Sequence, residues 1–341
     1  MSSSERESWC SVWQIAADEP VPFELLSPGS IEEAVELSLR HGHDCALMAG
    51  GTDLLDQLKL QRRTPRYVIN LKSIPGLRTL DAAADHVSIG ALTTIGELER
   101  HAGLDRSCRA LRLAASRVAT PQIRNAGTLG GNLLQDSRCA YFRGPWYCYR
   151  AGGIQCDARH GMNQEHAIFG GNRCYTVSPS DTAPALVALG ATATVYSPAA
   201  RQMPVEDLFM PPGENITVMH RLGHGAVLSD ITVPVRNGTR STFVKHAMRG
   251  SWDFAIASVA AALRIENGAA RDVRIVMGGV APIPWRSGDA EREVEGKALD
   301  QVTIESAARA AIAGARPLAH NEYKVALVKS LVRTALTELA Q

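Results

Sequence analysis

Four cysteines, Cys139, Cys148, Cys156 and Cys174, fall in one stretch of the chain at spacings of nine, eight and eighteen residues. Four thiolates close in sequence form a ligand set, and three chemistries are open to them. Buried structural thiols need apolar surroundings, and this stretch has no apolar pattern. Structural zinc usually draws on tightly spaced cysteine pairs, which are missing. A [4Fe–4S] cluster takes four thiolates and accepts wide spacing when a loop wraps around it. His160 and His166 are further candidate ligands. Arg138, Arg143, Arg150, Arg159 and Arg173 could offset the charge of a thiolate-ligated cluster, or could simply be surface. Ligand preference favours iron–sulfur and leaves zinc and structural thiols open.

Two glycine turns are the second candidate chemistry: Ala49-Gly50-Gly51-Thr52-Asp53 after an apolar strand, and Gly127-Thr128-Leu129-Gly130-Gly131-Asn132. Glycine lets backbone amides approach a ligand and converge on one point, which suits a phosphate. Neither turn is a dinucleotide fingerprint or a P-loop, so each could equally be a tight turn that needs positive φ. No catalytic triad or zincin motif accompanies them.

These residues need a scaffold, and the chain has length for about two domains, with 341 residues. Lys plus Arg (36) nearly cancels Asp plus Glu (35), a net charge of +1 that argues against nucleic acid as the main partner. No apolar run is long enough to span a bilayer, so no membrane role is expected. The polar N-terminus has no signal-peptide core, which predicts a cytoplasmic protein, although a folded complex could be exported on a partner's twin-arginine signal. Cys10, Cys45 and Cys108 bring the cysteines to seven, an odd count that, in a reducing compartment, speaks against a disulfide framework.

From Phe23 the pattern becomes regular. Ser30 with Glu33 predicts a capping box opening a short helix that Gly42 ends. A strand at Cys45 to Ala49 breaks at the first glycine turn and is expected to resume at Leu54-Leu55. Strands follow at 67–71 and 87–92, with helices at 94–101 and 111–118, so the unit reads as α/β or α+β. From 135 to 175 no helical or strand face is legible, and so long a loop is usually functional. A helix at 183–189 and a strand at 192–196 restore order. Strands at 226–235 and 241–248, then a hairpin around Asn267-Gly268, lead to two closing helices. A three-stranded sheet backed by helices is expected there.

Taken together, the two turns and the cysteine stretch resemble the FAD-binding medium subunit of the xanthine oxidase family of molybdenum hydroxylases, which includes the carbon monoxide dehydrogenase flavoproteins. Leu47, Met48, Ala49, Gly50, Gly51, Thr52, Asp53 and Leu54 are similar to its first flavin loop. Thr128, Leu129, Gly130, Gly131 and Asn132 are similar to its second. The resemblance also assigns flavin contacts to Val118, Asp181, Leu228 (or its neighbour Val227) and Lys245. Most members lack the cysteine stretch. Its presence is similar to the branch with an extra [4Fe–4S] loop, found in aldehyde oxidoreductase flavin subunits and in the β subunit of 4-hydroxybenzoyl-CoA reductase, with Cys139, Cys148, Cys156 and Cys174 as ligands.

The resemblance implies an α+β fold: a two-lobed FAD-binding domain over 23–212, with lobes 23–78 and 79–212 and the cluster loop at 136–175. An extension (1–22) would precede it, and a C-terminal domain (222–341) with a three-stranded antiparallel sheet and helices would follow. It implies FAD and a [4Fe–4S] cluster as cofactors. The implied partners are a molybdopterin-binding large subunit, a small [2Fe–2S] subunit and an external carrier such as a ferredoxin. The pyrophosphate is expected against amides of both turns, and Lys245 on the isoalloxazine. Substrate hydroxylation would occur on another chain. Electron flow could run outward, as in aldehyde or xanthine dehydrogenases, or inward, as in the reductase.

Overall fold

The computed structural model describes residues 21–341, so most of the expected N-terminal extension, with Cys10, lies outside the described residues. The first lobe runs β1 (Glu24–Leu26), α1 (Ile31–His41), β2 (Cys45–Met48), α2 (Leu54–Lys59) and β3 (Tyr67–Asn70). Its three strands are parallel in the order β1-β3-β2. Ser30 caps α1 by accepting from the Glu33 amide, but Glu33 bends back to the Gly29 amide and not to that of Ser30. The chain does not resume as a strand at Leu54. Gly51, at φ +75°, turns it into α2, where Leu54 and Leu58 share the buried face at an i, i+4 spacing.

The second lobe is an antiparallel five-stranded sheet, order β4-β5-β8-β6-β7, covered by helices. It contains β4 (Leu80–Ala82), β5 (His86–Gly90), α3 (Ile95–Arg100), α4 (Arg109–Ser116), α5 (Pro121–Ala126), α6 (Leu129–Leu133), α7 (Thr182–Ala188), β6 (Thr192–Tyr196), β7 (Ala200–Pro204) and β8 (Val227–Pro234). Threonines start three of these helices. Thr94 and Glu97 form a full capping box at α3, Thr120 caps α5 ahead of Pro121, and Thr128 caps α6. The sequence pattern places β8 with the strands of the last third of the chain. It sits instead between β5 and β6, where its alternating burial matches one covered sheet face.

The last part has β9 (Thr239–His246), β10 (Ala257–Glu266), β11 (Ala269–Gly278) and β12 (Trp285–Arg286), antiparallel in the order β12-β11-β10-β9. The expected three strands are therefore four. The extra one is two residues long among prolines, too short to show a period. Asn267 and Gly268 both take positive φ in the β10–β11 turn, as the Asn-Gly pair demands. The helices α8 (Gly288–Val294), α9 (Gln301–Ala310) and α10 (Tyr323–Ala340) cover one face. Val328, Val332, Ala335, Leu336 and Leu339 of α10 close that core.

Candidate functional site

The first glycine turn lies between β2 and α2. A Cβ on Gly50 would collide with the carbonyl of Ala126, so the two glycine turns touch backbone to backbone. The amides of Gly50, Gly51, Thr52 and Asp53 donate to no acceptor among the described residues. Four successive uncommitted amides at a turn are an anion site, favourable because the donors are already aimed and need no basic side chain. These donors fit a diphosphate.

The second turn is built differently. The Leu129 amide donates to Thr93 O, Gly130 to Ala91 O, Gly131 to Thr128 Oγ1 and Asn132 to Thr128 O. The amides of Leu129 to Asn132 are therefore committed, while the Thr128 amide donates to no acceptor among the described residues, so of the second turn only Thr128 offers a free backbone donor beside those of the first. Asn132 contributes through its side chain: its Oδ1 accepts from Ser180 Oγ and Thr182 Oγ1, both at 2.7 Å, which turns its amide nitrogen outward as a donor.

Asp181 and Lys245 meet. The Lys245 ammonium lies 2.6 Å from Asp181 Oδ2, with side chains only 2% and 5% exposed. It also donates to the carbonyls of Arg117 and Asp253, so its three donors are committed. Burial pushes the Asp181 carboxyl up, against the pull of Lys245. The pair joins the start of α7 to β9, across the two sheet layers. Val118 and Leu228 both lie in the buried core of the second lobe.

Asp53 has the least expected position. Its carboxylate accepts from Gln57 Nε2 (2.9 Å) and the Asp136 amide (2.8 Å), and pairs with Arg143 (2.7 Å) and Arg138 (3.0 Å). Arg150 pairs with Asp136 at 2.5 Å. Three arginines expected to balance a cluster thus first bind carboxylates at the root of the cysteine loop. Arg159 and Arg173 form no ion pair among the described residues.

The loop itself carries only short turns, at Ala140–Arg143, Tyr149–Ala151 and Asp157–Arg159. It brings Cys139, Cys148, Cys156 and Cys174 to the lining of one pocket, together with Tyr141, Tyr149, Arg150 and His166. Burial pushes the Cys139 thiol up to about 12 and Cys174 to about 11, and the neighbouring cysteines add to both shifts. Such thiols keep their protons until a cation replaces them. Among the described residues no three His, Cys, Asp or Glu side chains gather closely enough to hold a single metal ion. Cys45 and Cys108 are buried, in β2 and ahead of α4, and neither is among the residues that line this pocket.

The family model described as FAD binding domain in molybdopterin dehydrogenase matches residues 21–236. A second, for the CO dehydrogenase flavoprotein C-terminal domain, matches residues 242–339. The chain belongs to this family. It is an FAD-binding medium subunit of the xanthine oxidase and carbon monoxide dehydrogenase type, an oxidoreductase subunit of molybdenum-dependent dehydrogenases. It is 32% identical over 310 residues to the aldehyde oxidoreductase FAD-binding subunit PaoB of Escherichia coli strain K12, covering 89% of this chain and 93% of that one. It is 29% identical over 324 residues to the carbon monoxide dehydrogenase medium chain of Hydrogenophaga pseudoflava, covering 93% and 96%. The solved carbon monoxide dehydrogenase of that organism, which lacks the Mo-pyranopterin moiety of the molybdenum cofactor, superposes with a TM-score of 0.74 at 28% identity. That match covers 93% of this chain and 97% of the other.

Sequence reasoning missed a group of site residues at the other end of the chain. Lys324 of α10 is fully buried and donates to the carbonyls of Glu165, His166 and Gly279. Asn321 donates to those of His166 and Ala167, and Tyr323 to that of Gln164. One signal existed: Lys324 falls four residues before Val328, on the apolar stripe of α10, where a charge needs a buried partner.

Proposed function

We propose that this chain is the FAD- and [4Fe–4S]-carrying electron-transfer subunit of a heterotrimeric molybdenum-dependent dehydrogenase of the aldehyde or xanthine dehydrogenase kind. It would pass electrons between the [2Fe–2S] centres of a small partner subunit and an external carrier such as a ferredoxin. A large molybdopterin-binding partner would carry the substrate chemistry. The convergence of Cys139, Cys148, Cys156 and Cys174 on one cavity is the observation that carries the cluster reading. A single zinc ion needs its ligands within about 2.3 Å of one point, whereas a four-iron cube holds a thiolate at each of four iron corners. Four thiols lining one pocket match in number the thiolates such a cube takes. The likeness to the aldehyde oxidoreductase FAD-binding subunit PaoB points the same way in kind of enzyme.

Flavin, when bound, exchanges electrons singly or in pairs. The chain's own part is positional. The free amides of Gly50 to Asp53 would hold the diphosphate, with Asn132 Nδ2 and Thr128 beside them. The Asp181–Lys245 pair would fix the start of α7 against β9 at the edge of the flavin groove. Its committed donors support a role in shaping that edge more than a direct bond to the ring.

The test is the composition of the purified complex. Flavin absorbance at one FAD per chain, with about four irons beyond those of the small subunit, would support the proposal. Colourless protein carrying one zinc per chain would overturn it.

A further inference from the structure

His166 lines the cysteine cavity, and its Nε2 lies 3.3 Å from Cys139 Sγ. Its Nδ1 is buried and has no hydrogen-bond partner among the described residues. The backbone that carries the ring is held from both sides. The His166 amide donates to Asn163 O at 3.1 Å, and the His166 carbonyl accepts from Asn321 Nδ2 and Lys324 Nζ, both at 3.0 Å. Asn163 is itself fully buried. It donates to the carbonyls of Ala158 and Gly161 and accepts from the His320 amide. Four residues, Asn163, His320, Asn321 and Lys324, thus tie this part of the loop to the start of α10.

We infer that His166 is a positioning and tuning residue for the proposed cluster: its Nε2–H donates a hydrogen bond to the Cys139 thiolate and raises the cluster's reduction potential. The inference rests on the cluster reading above. A thiolate that ligates iron carries no proton and can only accept, so a hydrogen bond across the 3.3 Å gap must come from Nε2–H, and the buried Nδ1 faces no competing acceptor among the described residues. Hydrogen bonds to ligating sulfur withdraw negative charge and so favour the reduced cluster. The start of α10 sets where the ring stands, so the C-terminal domain acts on the cluster through His166 without touching it.

The experiment is an anaerobic redox titration of the whole complex, followed by electron paramagnetic resonance, with iron and flavin counted per chain. His166→Leu should keep four irons and full flavin while the midpoint of the four-iron signal shifts downward. His166→Gln, which can still offer an N–H, should recover part of that shift. An unchanged midpoint in His166→Leu, with iron intact, would overturn the inference. A drop to a three-iron signal would also overturn it, because the imidazole would then be a ligand. Should His166→Leu fail to fold, the wild-type complex labelled with ¹⁵N-histidine decides the matter. Weak nitrogen coupling to the reduced cluster supports the hydrogen bond, strong coupling indicates ligation, and no coupling rules both out. Wild-type protein without the extra irons would instead sink the cluster reading itself, an outcome distinct from all of these.

Discussion

The first glycine turn and the cysteine loop are built on opposite principles, although Asp53 joins them. At Gly50 to Asp53 the chain presents backbone amides, and side-chain identity matters mainly where a Cβ would not fit. In the loop the backbone has almost no regular structure, and everything depends on side chains: four thiols inside, carboxylate–arginine pairs at the root, asparagine and lysine caps at the exit. A site made of backbone is secured by packing between secondary-structure elements. A site made of side chains without a core is secured by hydrogen bonds, and each bond is a separate point of failure.

The sharpest break between the two regions comes from the cysteines. Replacing Cys139, Cys148, Cys156 or Cys174 singly by Ser should cost the four irons of the proposed cluster and leave FAD at one per chain, read by iron assay and flavin absorbance. If Cys45→Ser or Cys108→Ser removed iron as completely, the division into ligands and bystanders would be wrong. Next comes the buried Asp181–Lys245 pair. Lys245→Met leaves Asp181 alone in the interior, and stability at pH 7 should fall by about 3–5 kcal/mol in denaturant titrations. The unpaired carboxyl has a folded pKa above its unfolded one, so the folded state binds the extra proton. The deficit should therefore be smallest near about pH 4 and grow toward neutrality, and Asp181→Asn/Lys245→Met should regain part of it.

Gly50→Ala tests the backbone-built site. Its methyl group presses on the Ala126 carbonyl and should cost about 3 kcal/mol, weakening FAD retention while the irons stay. Equal loss of iron and flavin would mean the regions are not separable. The smallest effect is expected far from both. Glu305 is held down at about 2 by hydrogen bonds from Lys329 and Arg333. Its contribution is present above the ordinary carboxylate range and is lost as the pH falls toward 2. Glu305→Gln should flatten that acid limb of the stability curve, barely change Tm at pH 7, and leave both cofactor contents untouched.

Local signals were readable from the residues, and pairings between distant ones were not. The glycine turns, the threonine-started helices, the Asn267-Gly268 hairpin and the convergence of four cysteines all follow from short-range patterns. The membership of β8 in the middle sheet does not, because strand alternation says which face is covered but not by whom. The turn into α2 at Leu54 was hidden because two leucines after glycines fit a strand as well as a helix start. Asp53 looked like a cofactor residue, since nothing in its neighbourhood announces Arg138 and Arg143 more than eighty positions away. The committed amides of the second turn were equally hidden. Two of their acceptors, Ala91 and Thr93, lie on the segment between β5 and α3.

The clamp between residues 163–167 and 320–324 also bears on how the protein is made. The cysteine loop begins against Asp53 of the first lobe and ends against the first turn of the last helix. A nascent chain that has emerged only as far as β12 holds all four thiols but lacks the residues that seat the last part of the loop. Folding of the first lobe can begin during synthesis, as domains generally do. The loop can take its final shape only once residues 320–324 have been made and seated, so loading of the proposed cluster would follow synthesis of the start of α10.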